Sequence, residues 1–228
     1  MRKPFAQRLF ERLYRSKLDS DFFLPYHGDF SYVMSSIKNW ADFAEFQLDR
    51  RARIELLDFL IEAVKEDLGS SAAAEVIYTP LGKKTRDWRQ ALYFARRAGA
   101  ACAETVRISS AGNKVIISPY DQDKVFFAIR SILDYGFRAD YGTYDGAFYP
   151  ELKLIAVSNG LHHAWVAAQL RQEGEYKVDV YKLEDMFPTI YTDGEFWYNR
   201  ERPDLKEPVL DVRMAILYEL ARMRREAQ

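Results

Sequence analysis

The chain has 228 residues, 48% of them hydrophobic and 29% charged, a composition that supports a packed core in one large domain or two small ones. Its formal net charge of −1 excludes a global basic field of the kind that attracts nucleic acid. The single cysteine, Cys102, excludes an internal disulfide framework and favours a reducing, cytoplasmic compartment. We expect Cys102 to be a buried packing thiol.

Residues 4–17 form an amphipathic stretch in which Phe5, Leu9 and Leu13 recur at helical spacing among arginines and lysines. We expect this stripe to dock on the rest of the protein, with contact to a membrane surface or to nucleic acid as the alternative. No apolar run follows that would form the core of a signal peptide. No stretch approaches the roughly 20 apolar residues that a transmembrane helix needs.

The rest of the first hundred residues is predicted to be mainly helical. Residues 30–47 are compatible with a helix, and residues 50–68 carry hydrophobic side chains at three- and four-residue spacing, with Gly69 suited to the position that follows a helix. Residues 75–78 are predicted as a short strand. Residues 86–98 are predicted as another helix.

The pattern changes after residue 102, where β-branched residues become frequent. Residues 105–108 and 114–117 are predicted to form a hairpin around the turn at 112–113. Ser118 then has the character of a helix N-cap followed by proline, and the helix that it starts is predicted to end at Gly136.

The next segment is predicted as three strands and a helix. Residues 137–144 and 152–157 are strand candidates separated by a turn at 145–146, and a glycine turn then opens a helix that runs to about residue 173. Residues 176–183 alternate in polarity and predict the third strand.

Towards the C-terminus, a turn at 193–194 between aromatic runs predicts a second hairpin. Prolines 203 and 208 are typical of a linker, and residues 209–225 are predicted as a terminal helix. The predicted class is therefore α+β. The predicted divisions are a mainly helical region, an α+β domain, and a linker with its helix: 1–103, 104–200 and 201–228.

The most informative segment runs from Ser158 to Ala164 and holds two of the three histidines. It follows an apolar strand and precedes an apolar, alanine-rich helix, so that Gly160 lies at a strand–turn–helix junction. A helix that begins at such a turn presents free backbone N–H groups and a positive dipole end, which together suit an anion such as phosphate.

The order of elements from residue 114 to residue 183 resembles the amino-terminal domain of the ParB/sulfiredoxin superfamily. In that domain a short strand leads through a proline turn into a helix ending in glycine. Two strands follow, then a Gly-x-x-Arg-type turn, an alanine-containing helix and a further strand. The corresponding segments here are 116–119, 126–136, 153–157, 160–168 and 177–181.

The resemblance implies that the glycine turn binds nucleoside triphosphate, ATP or CTP with Mg²⁺, and that the protein hydrolyses the nucleotide or a nucleic-acid phosphodiester. Asn159 stands in place of an aspartate, Gly160 matches the glycine and His163 replaces the arginine. Leu161 occupies the position of sulfiredoxin's reactive cysteine, which argues against sulfiredoxin chemistry. The nucleotide-binding residues expected on this basis are Ser158, Asn159, Gly160, Leu161, His162, His163 and Arg138.

We expect catalysis, if the protein is an enzyme, from His162, His163 and Asp140. Since an imidazole at position 163 lacks the bidentate fork of arginine, Arg138, Arg130 or Lys153 would supply the missing charge. Successive helical positions lie about 100° apart, so the two histidines do not suit one metal ion. The structural alternative is that they cap the helix or bind backbone carbonyls.

Two further groups of residues have both a functional and a structural interpretation. Asp145 follows Asp140 closely and would line the same cleft or lie in an ordinary turn. Tyr191, Trp197 and Tyr198 would stack on a nucleobase or, as we favour, pack on the core.

Two functions follow from these expectations. The first is a nucleotide- or nucleic-acid-phosphate-binding protein with possible NTPase or nuclease activity. The second is a non-catalytic protein-interaction module, such as a phage or host defence-system component, with a degenerate nucleotide site.

Overall fold

The computed structural model describes residues 28–41, 48–80, 85, 88–95, 98–136 and 144–228. These residues form helices and two sheets, with helices towards the N-terminus and a long helix at the C-terminus, which confirms the mixed α+β class. The helices are α1 Gly28–Ala41, α2 Arg50–Tyr78, α3 Trp88–Ala91, α4 Gln122–Tyr135, α5 Leu161–Gln169, α6 Leu183–Met186 and α7 Val212–Ala227. The strands are β1 Glu104–Ser109, β2 Lys114–Ile116, β3 Asp145–Tyr149, β4 Leu154–Val157, β5 Glu175–Val180, β6 Ile190–Thr192, β7 Phe196–Asn199 and β8 Lys206–Pro208. Among the described helices none is long and apolar enough to cross a bilayer.

The larger sheet has the strand order β1-β5-β3-β4-β2. Strands β2 and β4 are parallel, as are β3 and β5, whereas β3–β4 and β1–β5 are antiparallel. The predicted β1–β2 hairpin is therefore wrong, because these strands lie at opposite edges of the sheet. A turn does form, with the Asn113 N–H donating to the Ser110 carbonyl at 3.1 Å, but β1 leaves it to pair with β5 over six residues.

The sheet is covered on both faces. On one face, helix α5 closes a cluster that includes Ile155, Val157, Leu161 and Val178, and helix α4 packs on α5. On the other face, Ala147, Tyr149, Leu154 and Ala156 join a larger core shared with α1, α2, α7 and the second sheet. Residues of the predicted helical region, the predicted α+β domain and the C-terminal helix thus contribute to one core.

Helix α2 is longer than predicted, and the strand predicted at 75–78 is instead its last turn. Gly69 does not end the helix. It is buried within it, and a Cβ there would lie 3.0 Å from the Lys114 Cε of β2, so glycine permits a close approach of helix and strand. The helix ends before Thr79, which has an extended backbone and precedes Pro80.

Strand β3 begins at Asp145, where a turn was predicted. Gly146 lies inside this strand against the backbone of Ala156, and a side chain at position 146 would overlap the Ala156 carbonyl. The glycine therefore serves close strand packing and not a turn. The strand predicted at 137–144 lies outside the described residues, except for Tyr144, which precedes β3.

Several predicted boundaries also change. Asp121, and not Ser118, is the N-cap of α4, since its carboxylate accepts from the Lys124 N–H at 3.2 Å; Gly136 ends the helix as predicted. Helix α5 ends at Gln169, short of residue 173. Of the helix predicted at 86–98, the described residues show only α3. Cys102 is exposed, so the expected packing thiol is wrong.

The C-terminal part contains the predicted hairpin, with β6 and β7 antiparallel around the turn at 193–194. The predicted linker includes the short strand β8, which pairs with β7. Helix α7 follows and packs along α2, where Arg213 of α7 forms a buried ion pair with Asp211 and reaches Asp67 of α2.

Candidate functional site

The turn between β4 and α5 is fastened to the start of β3. The N–H groups of Ser158 and Asn159 donate to the Asp145 carbonyl at 2.7 and 3.2 Å, and the Ser158 hydroxyl donates to the same oxygen at 3.1 Å. The Asn159 side-chain amide donates to the Asp145 carboxylate at 3.2 Å. Asp145, predicted as a cleft or turn residue, is therefore the anchor of the turn.

Gly160 is the N-cap of α5 and has a left-handed backbone with φ of 71°. A Cβ at this position would overlap the ring of Tyr144, so both conformation and space require glycine. No side chain caps the helix, and its first turn contains no acidic residue. The positive end of α5 is therefore not neutralised by a side chain of its own first turn.

The three residues after Gly160 differ in environment. Leu161 is 5% exposed and belongs to the core beneath α5, so it does not contact a ligand through its side chain. The imidazole of His162 meets the Tyr120 ring nearly edge-on, with 4.7 Å between ring centroids. Its Nε2 is buried without a hydrogen-bond partner in the described part of the chain. His163 is partly exposed.

Burial lowers the pKa of His162, and the nearby Lys124 lowers it further, while Asp121 acts in the opposite direction. The imidazole is consequently neutral near pH 7. It does not supply the positive charge that an arginine in this turn would bring to phosphate.

An open cleft of about 570 Å³ adjoins the turn, near the edge of the large sheet where β2 and β4 end and β3 and β5 begin. Its lining residues come from α3 and the segment after it, from three strands and from the turn: Arg89, Gln90, Tyr93, Thr105, Asp145, Gly146, Ser158, Lys177 and Asp179. Of the predicted nucleotide-binding residues that the structure describes, Ser158 lines this cleft.

The register between β3 and β5 brings charged side chains together on one wall of the cleft. Lys177 of β5 lies opposite Asp145 of β3, and Asp179 lies two residues further along the same face. The Thr105 hydroxyl of β1 donates to the Asp179 carboxylate at 2.7 Å. Neighbouring strands therefore hold two carboxylates and one ammonium on a single wall.

Arg89 of α3 is a second cation in the lining of the cleft and links the cleft to the start of α5. Its guanidinium carbon lies 5.8 Å from the centroid of the Tyr120 ring, the same ring that His162 contacts. Arg89 has no distinguishing sequence pattern. Lys177 and Asp179 are recognisable from the sequence, because apolar and polar residues alternate along β5. Tyr176 and Val178 are the buried residues that alternate with them, so Lys177 and Asp179 lie on the other face of the strand.

The other predicted charges lie elsewhere. Arg130 lies on the exposed side of α4, 3.5 Å from Asp134, and Lys153 precedes β4 at the end opposite the glycine turn. Arg138 and Asp140 lie outside the described residues. Within the described ranges, no three His, Cys, Asp or Glu residues are grouped to hold a metal ion.

The aromatic hairpin is divided between the core and the surface. Trp197 is 2% exposed and packs in the large core, in agreement with the favoured interpretation that the aromatic residues pack on the core. Tyr191 and Tyr198 stack on each other with 4.9 Å between centroids, while Arg200 covers Tyr191 and Lys206 approaches Tyr198. Since protein groups already occupy the faces of the Tyr191 and Tyr198 rings, these rings are poorly suited to stacking on a nucleobase.

The sequence profile of a family described as a family of unknown function (DUF6710) matches residues 12–228. No curated protein and no solved structure matches the chain.

Proposed function

The chain belongs to the DUF6710 family, and we propose from the geometry of its cleft that it binds the phosphates of a nucleotide or nucleic acid. The observation that carries this proposal is the convergence of Arg89, Lys177 and the turn before α5 on one cleft of about 570 Å³. This volume lies within the roughly 300–1,000 Å³ of ordinary small-ligand sites. Two cations beside an uncapped helix start favour an anion.

We also propose that residues 114–183 form a ParB/sulfiredoxin-like domain. The order β2, α4, β3, β4, glycine turn, α5 and β5 supports this assignment, as does the end of α4 at Gly136. The parallel neighbours β2 and β4 each lead towards a helix start at the same sheet edge. A crevice beyond the carboxyl ends of adjacent parallel strands is a common place for ligands in α/β sheets.

In this proposal Arg89 and Lys177 contact the phosphates, and the Ser158 hydroxyl is within the same cleft. Asp145 and Asp179 would repel a bare polyphosphate, which makes Mg²⁺ the natural companion of ATP or CTP here. Magnesium is usually held by one or two carboxylates together with the phosphates of the ligand. Hydrolysis of the nucleotide or of a phosphodiester is a further step, with His163 as the candidate histidine, because the Nε2 of His162 is buried.

Binding is tested by isothermal titration calorimetry with ATP, CTP and GTP, with and without Mg²⁺. We expect Lys177→Met and Arg89→Met each to weaken binding about 10- to 100-fold, as the loss of one charge-assisted hydrogen bond does. Lys153→Met and Arg130→Met remove the same charge outside the cleft and are the matched controls. Absence of binding by every nucleotide, or equal losses in cleft and control variants, would refute the proposal.

The catalytic step has its own assays. Release of inorganic phosphate from ATP or CTP, and cleavage of single- and double-stranded DNA and RNA, are measured for the wild type and for His163→Ala and Asp179→Asn. We expect Asp179→Asn to abolish the Mg²⁺ dependence of binding and turnover. Tight nucleotide binding without phosphate release or strand cleavage would identify a binding protein and not an enzyme.

The second candidate function is a non-catalytic protein-interaction module. Helix α4 carries Phe126, Phe127 and Leu133 with exposures of 71%, 76% and 72%. Sedimentation velocity of the wild type and of a Phe126→Ser/Leu133→Ser variant tests self-association through this face. A concentration-dependent dimer that the substitutions abolish, together with no nucleotide binding, would favour this alternative.

A further inference from the structure

A second cavity, of about 250 Å³, lies between α1, β6 and α7, and its lining shares no residue with the cleft of the proposed function. Phe30 and Met34 of α1 and Ile190 of β6 contribute apolar surface, and all three belong to the large core. The cavity is smaller than the roughly 300–1,000 Å³ of drug-sized ligands, so it suits a compact molecule.

Charged side chains surround this apolar base unevenly. Among the described residues that line the cavity, Glu219 is the acidic one. Its carboxylate accepts a hydrogen bond from the Arg222 Nε at 3.0 Å. Arg222 also pairs with Glu226 at 3.1 Å. Lys38 and Arg200 line the same cavity, and within the described ranges neither has a carboxylate partner. Among the residues that the structure describes, no carboxylate thus neutralises these two cations of the cavity.

Arg200 is held in place before any ligand arrives. Its backbone N–H donates to the Thr189 carbonyl at 2.7 Å, and its guanidinium carbon lies 4.8 Å from the centroid of the Tyr191 ring. Tyr191 is itself fixed by stacking on Tyr198. A guanidinium that already rests on an aromatic face loses less conformational freedom when it binds an anion.

We propose that this cavity binds a small carboxylate with an apolar body, independently of the phosphate site. The carboxylate would contact the guanidinium of Arg200, whose planar fork matches its two oxygens, with Lys38 adding charge. The apolar body would lie on Phe30 and Met34. A benzoate-sized acid has the required combination of one negative charge and a compact hydrocarbon part.

The test uses sodium benzoate and its neutral analogue benzamide, each titrated into the full chain and followed by ¹H–¹⁵N chemical-shift changes. We expect benzoate to shift the resonances of residues 190–192 and 200 and to bind at least ten times more tightly than benzamide. Equal affinity for the two probes would overturn the proposal, because binding would then not depend on the carboxylate.

Arg200→Met and Arg202→Met form a matched pair for the site of binding. Arg202 is exposed and pairs with Asp204 at 3.0 Å, and it does not line the cavity. We expect Arg200→Met to lose at least tenfold in benzoate affinity and Arg202→Met to lose none. Lys38→Met, on an exposed helical position, provides a second cavity variant should Arg200→Met fold poorly. Loss of affinity in Arg202→Met, or in none of the three variants, would overturn the assignment.

Discussion

Tyr120 joins the two parts of the candidate site at the scale of single residues. Its ring lies beside Arg89 of the cleft and meets His162 of helix α5, and its hydroxyl accepts a hydrogen bond from Lys124 at 3.1 Å. The sequence alone drew attention to the histidine because histidines are rare in this chain. The structure shows that the imidazole is packed against the Tyr120 ring and that Arg89 and Lys124 carry positive charge beside the same ring.

The environment of His162 predicts a titration below the ordinary histidine pKa of about 6.5. Burial and Lys124 both lower this pKa, so Lys124→Gln should raise it towards the ordinary value. As pH falls below about 6.5, the unfolded chain takes up this proton before the folded one does, so the stability contribution is full above that pH and declines below it. NMR titration of the imidazole carbons measures the pKa. A value at or above the ordinary one would contradict the buried position.

Gly160 and Gly112 form a matched pair for the conformational requirement of the turn. Both have a left-handed backbone, with φ of 71° and 72°, but a Cβ at Gly160 overlaps Tyr144, whereas a Cβ at Gly112 has nothing within 4 Å. Gly112→Ala should therefore lower the free energy of unfolding only by the roughly 1–2 kcal/mol that a left-handed backbone costs a residue with a Cβ. Gly160→Ala should add an overpacking term of about 1–3 kcal/mol. Urea unfolding measures both, and equal losses would show that Tyr144 moves aside.

Elements with a strong local pattern were predicted well, and elements that depend on distant partners were not. The periodicity of residues 50–68 and the alternation of residues 176–183 identify α2 and β5, because burial of one face repeats along each segment. The hairpin predicted at 105–117 fails because β1 pairs with β5, about 70 residues later in the chain. No local pattern specifies that choice.

Two glycines show that a local pattern also fails to predict contacts with distant parts of the chain. Gly69 was predicted to follow a helix and Gly146 to lie in a turn, yet both are buried where another backbone or side chain comes close. Arg89 lines the cleft together with Ser158 and Lys177, which lie far later in the chain. The location of the glycine turn and the exposed face of β5 with Lys177 were therefore predictable, whereas the approach of Arg89 was not.

The start of α4 gives a test at the level of one element. Asp121 caps the helix, while the hydroxyl of Ser118 is buried without a hydrogen-bond partner in the described part of the chain. Asp121→Ala should lower the free energy of unfolding by about 0.5–2 kcal/mol, as the loss of a cap does. Ser118→Ala removes an unsatisfied group and should have little effect. A larger loss in Ser118→Ala, measured by urea unfolding, would reassign the cap.

At the scale of the whole molecule, the long helices α2 and α7 are joined by an ionic cluster around the buried Arg213. The Arg213 guanidinium donates to Asp211 at 2.8 Å, to Asp67 at 3.0 Å and to the Ser71 hydroxyl at 2.8 Å. Its side chain is 2% exposed, and that of Asp211 is fully buried. The cluster therefore holds the start of α7 against the middle of α2.

Arg213→Met should destabilise the protein by about 3–5 kcal/mol, because it leaves the buried Asp211 carboxylate without its cationic partner, with only the backbone N–H of residue 213 still donating to it. Arg202→Met, which removes an arginine from an exposed pair, should leave the stability unchanged within experimental error. Thermal and urea unfolding of both variants provide the comparison. Similar losses in the two would mean that the contacts of Arg213 do not hold α7 on α2.

The contact between α2 and α7 also governs the order in which the chain is able to fold during synthesis. Arg213 and Asp67 are separated by 146 residues, so the apolar side of α2 is made long before the helix that covers it. At about 5–20 residues per second, this interval is roughly 7–30 s on the ribosome. During that time Leu57, Ile61 and Leu68 have no α7 to pack against, so this apolar side of α2 is covered in the native way only after the C-terminal helix has been made.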